Sequence, residues 1–453
     1  MEKSNHLPSR VASPTPSEAT TAHDISSSSS PSAFSPVPFS AQFLDKSPQA
    51  AAARAIYLKT VIGGVVAISI AIFAVFSIYW GSLWSTPHHA LPGWIVDFDG
   101  GDVGQAVSSA LSNISSGTNG VSWKVVPAGN FPGGVSQLRD AIVQEKTWYA
   151  IAINAAASAN LSAAVSAADA SYDSSLAITF IGSEARNENI YRLHSRMVSA
   201  ELQAITYQFT LQFLKHIPSS VDVATLLSTA PQIITRPIYF STENLRPFDV
   251  PVASAVTFVG LIYVLILAFF IVNVSAVARE VSGLEKNLSL GSLIRVRLLT
   301  SVVAYFFVSL FYTLLSRAFQ LPFDRHFGSA GLVIFWMLNW IGMLACGLAL
   351  DAVLPLLTAR FTPFFLILWI ITNVSVSVFP IPVLPHIYRY GYAWPFYSIS
   401  RAVRAIVFGT KNDVGLNFGV LIAWVAISCI TLPLIQWFVR RRAMAAQRDT
   451  KAV

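Results

Sequence analysis

Charge is what this sequence has least of. Only 12% of its 453 residues are Asp, Glu, Lys or Arg, about half the share that a soluble globular domain carries. With 54% hydrophobic residues and a mean hydropathy of +0.56, the chain reads as an integral membrane protein. Cysteine is scarce too: Cys346 and Cys429 both sit inside apolar runs, which excludes a disulfide framework and a Cys-rich metal site. The net charge is +7, but the basic residues stand beside apolar runs and form no stripe interleaved with aromatics. Nucleic acid is therefore not an expected partner.

Signatures of chemistry are equally sparse. The sequence holds no G-x-x-x-x-G-K-[ST], so it encodes no ATPase of that type, and it holds no H-E-x-x-H and no G-x-S-x-G. No cofactor and no enzymatic activity are expected. His88 and His89 have no third ligand near them in sequence and read as interfacial residues rather than metal ligands.

What the chain does have is long apolar runs. A helix crosses the hydrocarbon core with about 20 apolar residues, and six stretches qualify: 60–81, 252–274, 298–315, 329–350, 361–379 and 416–439. The first is preceded by 59 residues and lacks a small-residue cleavage site, which marks a retained signal anchor. Lys46, Arg54 and Lys59 precede it; Arg279, Lys286, Arg295 and Arg297 lie between the second and third; Arg440, Arg441, Arg442, Arg448 and Lys451 follow the sixth. These regions share one side, so the positive-inside rule puts both termini in the cytosol. Residues 1–55 are rich in Ser and Pro and read as a disordered cytosolic tail; residues 440–453 read as a basic one.

Between the first two spans, residues 82–251 read as an extracytosolic α/β domain. Apolar runs at 94–98, 121–126, 148–154 and 176–181 predict strands. The segments 103–114, 135–145, 155–168 and 189–216 between and after them predict helices. Asn113 and Asn160 begin glycosylation sequons on that side; Asn287 begins another on the opposite side and should stay bare. The fold class is an α-helical polytopic membrane protein, six transmembrane helices as one plus five, with a large extracytosolic α/β domain after the first.

One stretch, Trp94-Ile-Val-Asp-Phe-Asp-Gly-Gly-Asp-Val-Gly104, looks like chemistry. Its D-x-D-G resembles a phosphatase nucleophile, but Gly101 stands where that family has Thr or Val, and no adjacent acidic pair follows in the domain. As a calcium loop, starting at Asp97, it puts Asp102 where the sharp turn needs Gly and Ser108 where a bidentate Glu belongs. The remaining reading is a strand, a tight turn at Gly100-Gly101, and Asp102 capping a helix that starts at Val103.

Inside the spans, ionisable residues are few. Asp351 ends the fourth span at the cytosolic edge and reads as interfacial; Asn273, Asn339 and Asn373 read as helix-to-helix glue. Gly342, Cys346 and Gly347 make a small-residue face for close packing. The loop carrying Arg279, Glu280, Glu285 and Lys286 reads equally well as a cytosolic docking segment and as a solvated connector.

Several stretches resemble a family. Asn244-Leu245-Arg246-Pro247-Phe248, with Gly260-Leu-Ile-Tyr263 of the second span, is similar to the fungal nitrosoguanidine-resistance membrane proteins, and so is the segment from Gly391 to Trp424, above all Pro395 to Gly409. Residues 147–164 and 94–107 match more loosely. The resemblance implies a membrane protein linked to resistance to small toxic compounds. Its one-plus-five layout is similar to ABC-exporter subunits and phage-infection-type proteins, in which the second loop meets an ATPase. The expected function is resistance to, or export of, small toxic compounds without an ATPase of its own. The rival expectation is a non-transporting organiser of membrane lipids. Expected partners are lipids, small toxic compounds, and a separate ATPase or a second copy of the chain. The plasma membrane is the expected location. On the residues alone, Arg246 and Pro247 read as a structural hinge, and Pro395 to Arg404 as a re-entrant or interfacial helix whose Arg401 and Arg404 can reach toward head groups.

Overall fold

The computed structural model describes residues 42–114, 117, 120–217 and 221–451; the Ser/Pro-rich stretch up to residue 41 lies outside them. Helix α1 (Pro48–Ala71) begins within the segment expected to be disordered. The run Ala50 to Ala53 favours helix, and the Ser47 hydroxyl accepts the Ala50 N–H at 3.2 Å to cap it. Arg54 donates to the carbonyls of Phe43 and Asp45. A short π-helical stretch, Ile72–Phe76, leads into α2 (Ser77–Leu83).

A mixed sheet follows, built from β1 (Leu91–Asp97), β2 (Val121–Val125), β3 (Tyr149–Ile153), β4 (Ile178–Gly182) and β5 (Phe240–Asn244) in the order β2-β1-β3-β4-β5. Only β3 and β4 pair antiparallel. Helices α3 (Asp102–Ser112), α4 (Gly134–Val143), α5 (Ala157–Ala167), α6 (Glu188–Lys215), α7 (Val223–Thr229) and α8 (Pro231–Thr235) connect the strands. Strand alternation sends Tyr149, Ile151 and Ile153 to one face, with Leu111, Leu161 and Leu202. Ala150 and Ala152 face the other way, against Leu138 and Ile142 of α4. Both faces are covered, which is why β3 and β4 read as unbroken apolar runs.

The β1–α3 turn corrects the expected cap. Gly101 is the N-cap and Asp102 is the first residue of α3, with no capping bond from its side chain. Asp99 takes that role: Oδ2 accepts from the backbone N–H groups of Gly101 and Gly104, both at 3.2 Å, and from the Ser158 hydroxyl at 2.5 Å. Its Oδ1 accepts the Ser158 N–H, which ties the start of α5 to the same turn. Asp97 accepts from Asp99 and Gly100 in the tight turn. Both carboxylates are thus occupied by the chain's own donors.

The rest is helical: a π-helical entry Ala255–Val259 into α9 (Gly260–Val281), α10 (Leu284–Asn287), α11 (Leu290–Ala318), α12 (Asp324–Phe327), α13 (Gly331–Val374), α14 (Pro395–Phe408) and α15 (Val414–Lys451). Among the described residues, five helical segments are long and apolar enough to cross a membrane: Pro48–Leu83, Pro251–Val281, Leu290–Ala318, Asp324–Leu357 and Val414–Ala446; Phe361–Val374 is apolar but shorter. Their outer faces carry large exposed apolar side chains such as Phe270, Phe311, Ile430 and Trp437.

The fourth and fifth expected spans, separate in the sequence pattern, fall in one helical assignment, α13. It is not straight. A Cβ on Gly342 would lie 2.8 Å from Ile399 Cδ1, while Asn373 Oδ1 accepts the Phe396 N–H at 3.2 Å. Phe396 and Ile399 are one turn apart on α14, yet a straight helix would separate residues 342 and 373 by about 46 Å. The helix therefore doubles back, and Pro355 and Pro363 lie between those two contacts.

Burial pushes the Asp99 carboxyl up, but the bonds from Ser158, Gly104 and Gly101 outweigh it and hold it below the usual carboxylate range. A carboxyl depressed by folding contributes stability above its unfolded pKa and loses it as pH falls through the folded value. Asp99→Ala is expected to cost about 1–2 kcal/mol and to flatten the loss of stability below about pH 4. Asp102→Ala should change little, as thermal unfolding of the purified protein will report. Equal costs at the two positions would remove Asp99 from the capping role.

Candidate functional site

Helix α14 is the element around which the site is built. Pro395 opens it at a position where the missing N–H costs nothing, and Gly409 closes it in the left-handed region at φ +67°. The interfacial expectation is overturned, since twelve of its residues, from Pro395 to Phe408, are buried. Buried guanidinium groups must be paired, and the partners come from the sheet layer. Arg404 Nη1 donates to Glu188 at 2.6 Å and to the Ala185 carbonyl at 2.9 Å. Arg401 Nη2 lies 3.0 Å from Glu145 and 2.8 Å from Asp413. These arginines turn inward to carboxylates rather than outward to lipid head groups.

The family-like motif meets the same helix. Asn244 bonds Glu184 in both directions, through the Glu184 N–H and its carboxylate. Leu245 N–H donates to the Gly182 carbonyl at 2.8 Å. Arg246 Nε donates to the Gly409 carbonyl at 2.8 Å. Phe248 stacks on Phe408 with centroids 4.7 Å apart, after Pro247 has turned the chain. The two stretches most specific in the sequence, Asn244 to Phe248 and Pro395 to Gly409, are thus one packed unit. From the far side of α14, the loop after α13 reaches the sheet layer: Val383 is buried in its core, and Asn187 Nδ2 donates to the Val378 carbonyl at 3.1 Å.

These contacts enclose a cavity of about 390 Å³ between the sheet layer and the helices. Its charged and polar lining comes from Glu145, Arg186, Arg401, Arg404, Asp413 and Asn417, and its apolar lining includes Val376, Phe379, Pro380, Leu416 and Val420. Arg186 stacks over Trp148 at 3.5 Å from the ring centroid and lies 3.6 Å from Glu145. Burial pulls its guanidinium down to about 10 against the opposing pull of Glu145, and Arg401 adds to the lowering; at neutral pH it stays charged. Burial pushes the Glu188 carboxyl up, but Arg404 overrides this and holds it below its ordinary value.

A second charged cluster lies at the opposite end of the helices, where the sequence suggests little. Asp351 is 2% exposed rather than interfacial. Arg297, itself 1% exposed, binds it at 2.8 Å and 3.1 Å and also donates to Gln436. Arg279 lies 3.7 Å from Asp351 and 3.1 Å from Glu285, which in turn accepts from Gln436 at 3.0 Å. Arg440 closes the ring on the Glu285 and Leu288 carbonyls. Of the four loop residues, Arg279 is buried and Glu285 half-buried, both engaged inside the chain, whereas Glu280 and Lys286 are exposed. Interlocking apolar contacts occupy the middle, where Gly347 admits the Tyr305 ring and Trp369 meets Trp424. Asn373 links α13 to α14, whereas Asn273 and Asn339 donate to carbonyls of their own helices.

Other candidates are placed as follows. Asn113 and Asn160 are exposed on the sheet layer. His386 comes to His89, with centroids 4.9 Å apart, yet among the described residues no three His, Cys, Asp or Glu side chains gather as a metal would require. The sequence signal that points toward the far cluster is the single acidic residue at the end of an apolar run; its partner Arg297 reads in sequence only as a topology signal.

Long apolar helices, tied at one end by an ionic cluster and carrying a small mixed sheet at the other, define a helical multi-pass membrane protein. A model of the family described as "Protein of unknown function (DUF3533)" matches residues 64–430. The chain belongs to that family. It is also 31% identical over 209 residues to a Saccharomyces cerevisiae protein described as an uncharacterized endoplasmic reticulum membrane protein. That match covers 44% of this chain and 39% of the yeast protein, so the chain spans well under half of its relative's length. No solved structure matches the chain.

Arg404→Met is expected to cost about 3 kcal/mol or more by leaving the Glu188 carboxylate buried and alone. Adding Glu188→Met should recover a large part of it. A double variant less stable than Arg404→Met in thermal unfolding would refute the pairing.

Proposed function

We propose that the protein contributes to resistance to, or export of, small toxic compounds, with the cavity beneath the sheet layer as the place where such a compound binds. The observation that carries this reading is the cavity's mixed lining, charged and apolar side chains together, at the junction of the sheet layer and the bundle. That is the chemistry of a site for amphipathic molecules. The resemblance of Asn244 to Phe248 and Pro395 to Gly409 to nitrosoguanidine-resistance proteins supports the same reading, because the second segment supplies Ser400, Arg401 and Arg404 to the lining and the first packs on the end of the same helix. In this proposal the chain is no enzyme and carries no ATPase of its own. Any energy comes from a separate ATPase, and a second copy of the chain is the other partner proposed.

The proposed topology has six crossings. The doubled-back α13 supports two of them, its second arm being short. Both termini are cytosolic, and the sheet layer is extracytosolic. The yeast relative's description favours the endoplasmic reticulum membrane over the plasma membrane, which would make that layer lumenal. A second reading, an organiser of membrane lipids, draws on the same cavity, because a head group and an acyl chain have the same mixed polarity.

Cells lacking the protein should accumulate more of a labelled toxic compound than cells expressing it, and lipid-label distribution should be unchanged. The reverse pattern would favour the lipid reading. In glycosidase shifts, Asn113 and Asn160 should carry glycans and Asn287 none; a glycan on Asn287 would invert the topology. Because Arg279 is buried in the far cluster, a docking role for that loop is better tested at its exposed charges. Glu280→Lys with Lys286→Glu should abolish resistance while leaving expression intact, and unchanged resistance would rule out coupling through the loop.

A further inference from the structure

The cavity holds a donor that the chain itself does not satisfy. Asn417, 4% exposed, has a side-chain Nδ2 with no hydrogen-bond partner, and it lines the cavity beside Arg186, whose Nε stands 3.6 Å from Glu145, beyond hydrogen-bond distance. A buried donor without an acceptor costs about 1–3 kcal/mol, so Asn417 marks a position where an acceptor is missing.

Charge points the same way. Four cations around the cavity, Arg186, Arg401, Arg404 and Lys411, share three carboxylates, Glu145, Glu188 and Asp413. Glu145 serves both Arg186 and Arg401, and Asp413 serves both Arg401 and Lys411. One positive charge is left over. The same lining includes Val376, Phe379, Leu416 and Val420, which offer nothing to an anion but suit a hydrocarbon chain.

We infer that the cavity binds an amphipathic molecule with a singly charged oxyanion head group, phosphate or carboxylate. Its oxygens accept from Asn417 Nδ2 and Arg186, and its chain lies on the apolar lining. This rests on the reading of the cavity as the binding site and names the class of molecule it takes. Neutral amphiphiles satisfy the apolar lining alone, and free inorganic anions satisfy the polar lining alone.

The test uses the full-length protein in a neutral detergent and measures binding of radiolabelled dodecyl phosphate, with dodecanol and inorganic phosphate as competitors. Dodecyl phosphate should bind, laurate should displace it, and neither dodecanol nor inorganic phosphate should do so. Asn417→Leu should weaken binding about tenfold, in line with the loss of a hydrogen bond to a charged group. Asn417→Asp, which cancels the excess positive charge, should abolish it. Asp102→Ala, on the sheet layer and outside the cavity lining, serves as the folded control and should bind as the native protein does. Displacement by dodecanol would reduce the cavity to an apolar hole, and displacement by inorganic phosphate would make it a free-anion site; either overturns the inference. So would unchanged binding in Asn417→Leu. If binding follows the expected pattern but deletion leaves compound accumulation unaltered, the resistance reading fails while this one stands. An altered accumulation with no head-group selectivity overturns this inference and leaves the resistance reading in place.

Discussion

The pairing of Arg401 and Arg404 with carboxylates of the sheet layer is the constraint from which the architecture follows. A buried helix cannot hold two guanidinium groups without counter-charges, because desolvating them costs several kcal/mol each. Glu145 lies just after α4 and Glu188 opens α6, so satisfying α14 draws two connections of the sheet layer onto it, the one before β3 and the one after β4. Once they meet, the Asn244–Phe248 segment has only one place to go, across the Gly409 end of the helix. The loop after α13 is then trapped between helix and sheet, with Val383 in the sheet layer's core. The cavity is what these three contacts leave between them.

At the other end the same logic runs through a single carboxylate. Asp351 meets Arg297 and Arg279, and through Gln436, Glu285 and Arg440 the ends of α9, α11, α13 and α15 are joined. The bundle is therefore pinned by charge at both ends and by apolar packing between. Such an arrangement resists small displacements, since breaking one partner leaves the others buried and unpaired.

Much of the secondary structure is legible from the residues. β1 to β4 and α3 to α6 fall on the apolar runs and periodic stretches that suggest them, because both sheet faces are covered and the strands need unbroken apolar sequence. β5 escapes that pattern for a related reason. Phe240–Asn244 is an edge strand in which only Phe240 is buried, and its polar residues give no strand signal. The capping carboxylate of the β1–α3 turn is Asp99, three residues before the expected Asp102. The capping rule looks to the residue nearest the helix, whereas this turn loops Asp99 back over the helix start and joins it to Ser158, far along the chain.

What the sequence determined by itself is what depends on local composition: a membrane chain with apolar helices, an α/β layer after the first of them, and a helix starting at Pro395. Tertiary structure alone decided which charges are buried and with whom. Arg404 and Glu188, or Arg297 and Asp351, are separated by tens to hundreds of residues, and no periodicity links them. An arginine beside an apolar run satisfies the positive-inside rule whether it faces head groups or a carboxylate, so the pattern is the same in both cases. Only the packing of α14 against the sheet layer, and the reversal of α13, bring the partners within reach and leave Asn417 facing a cavity without an acceptor.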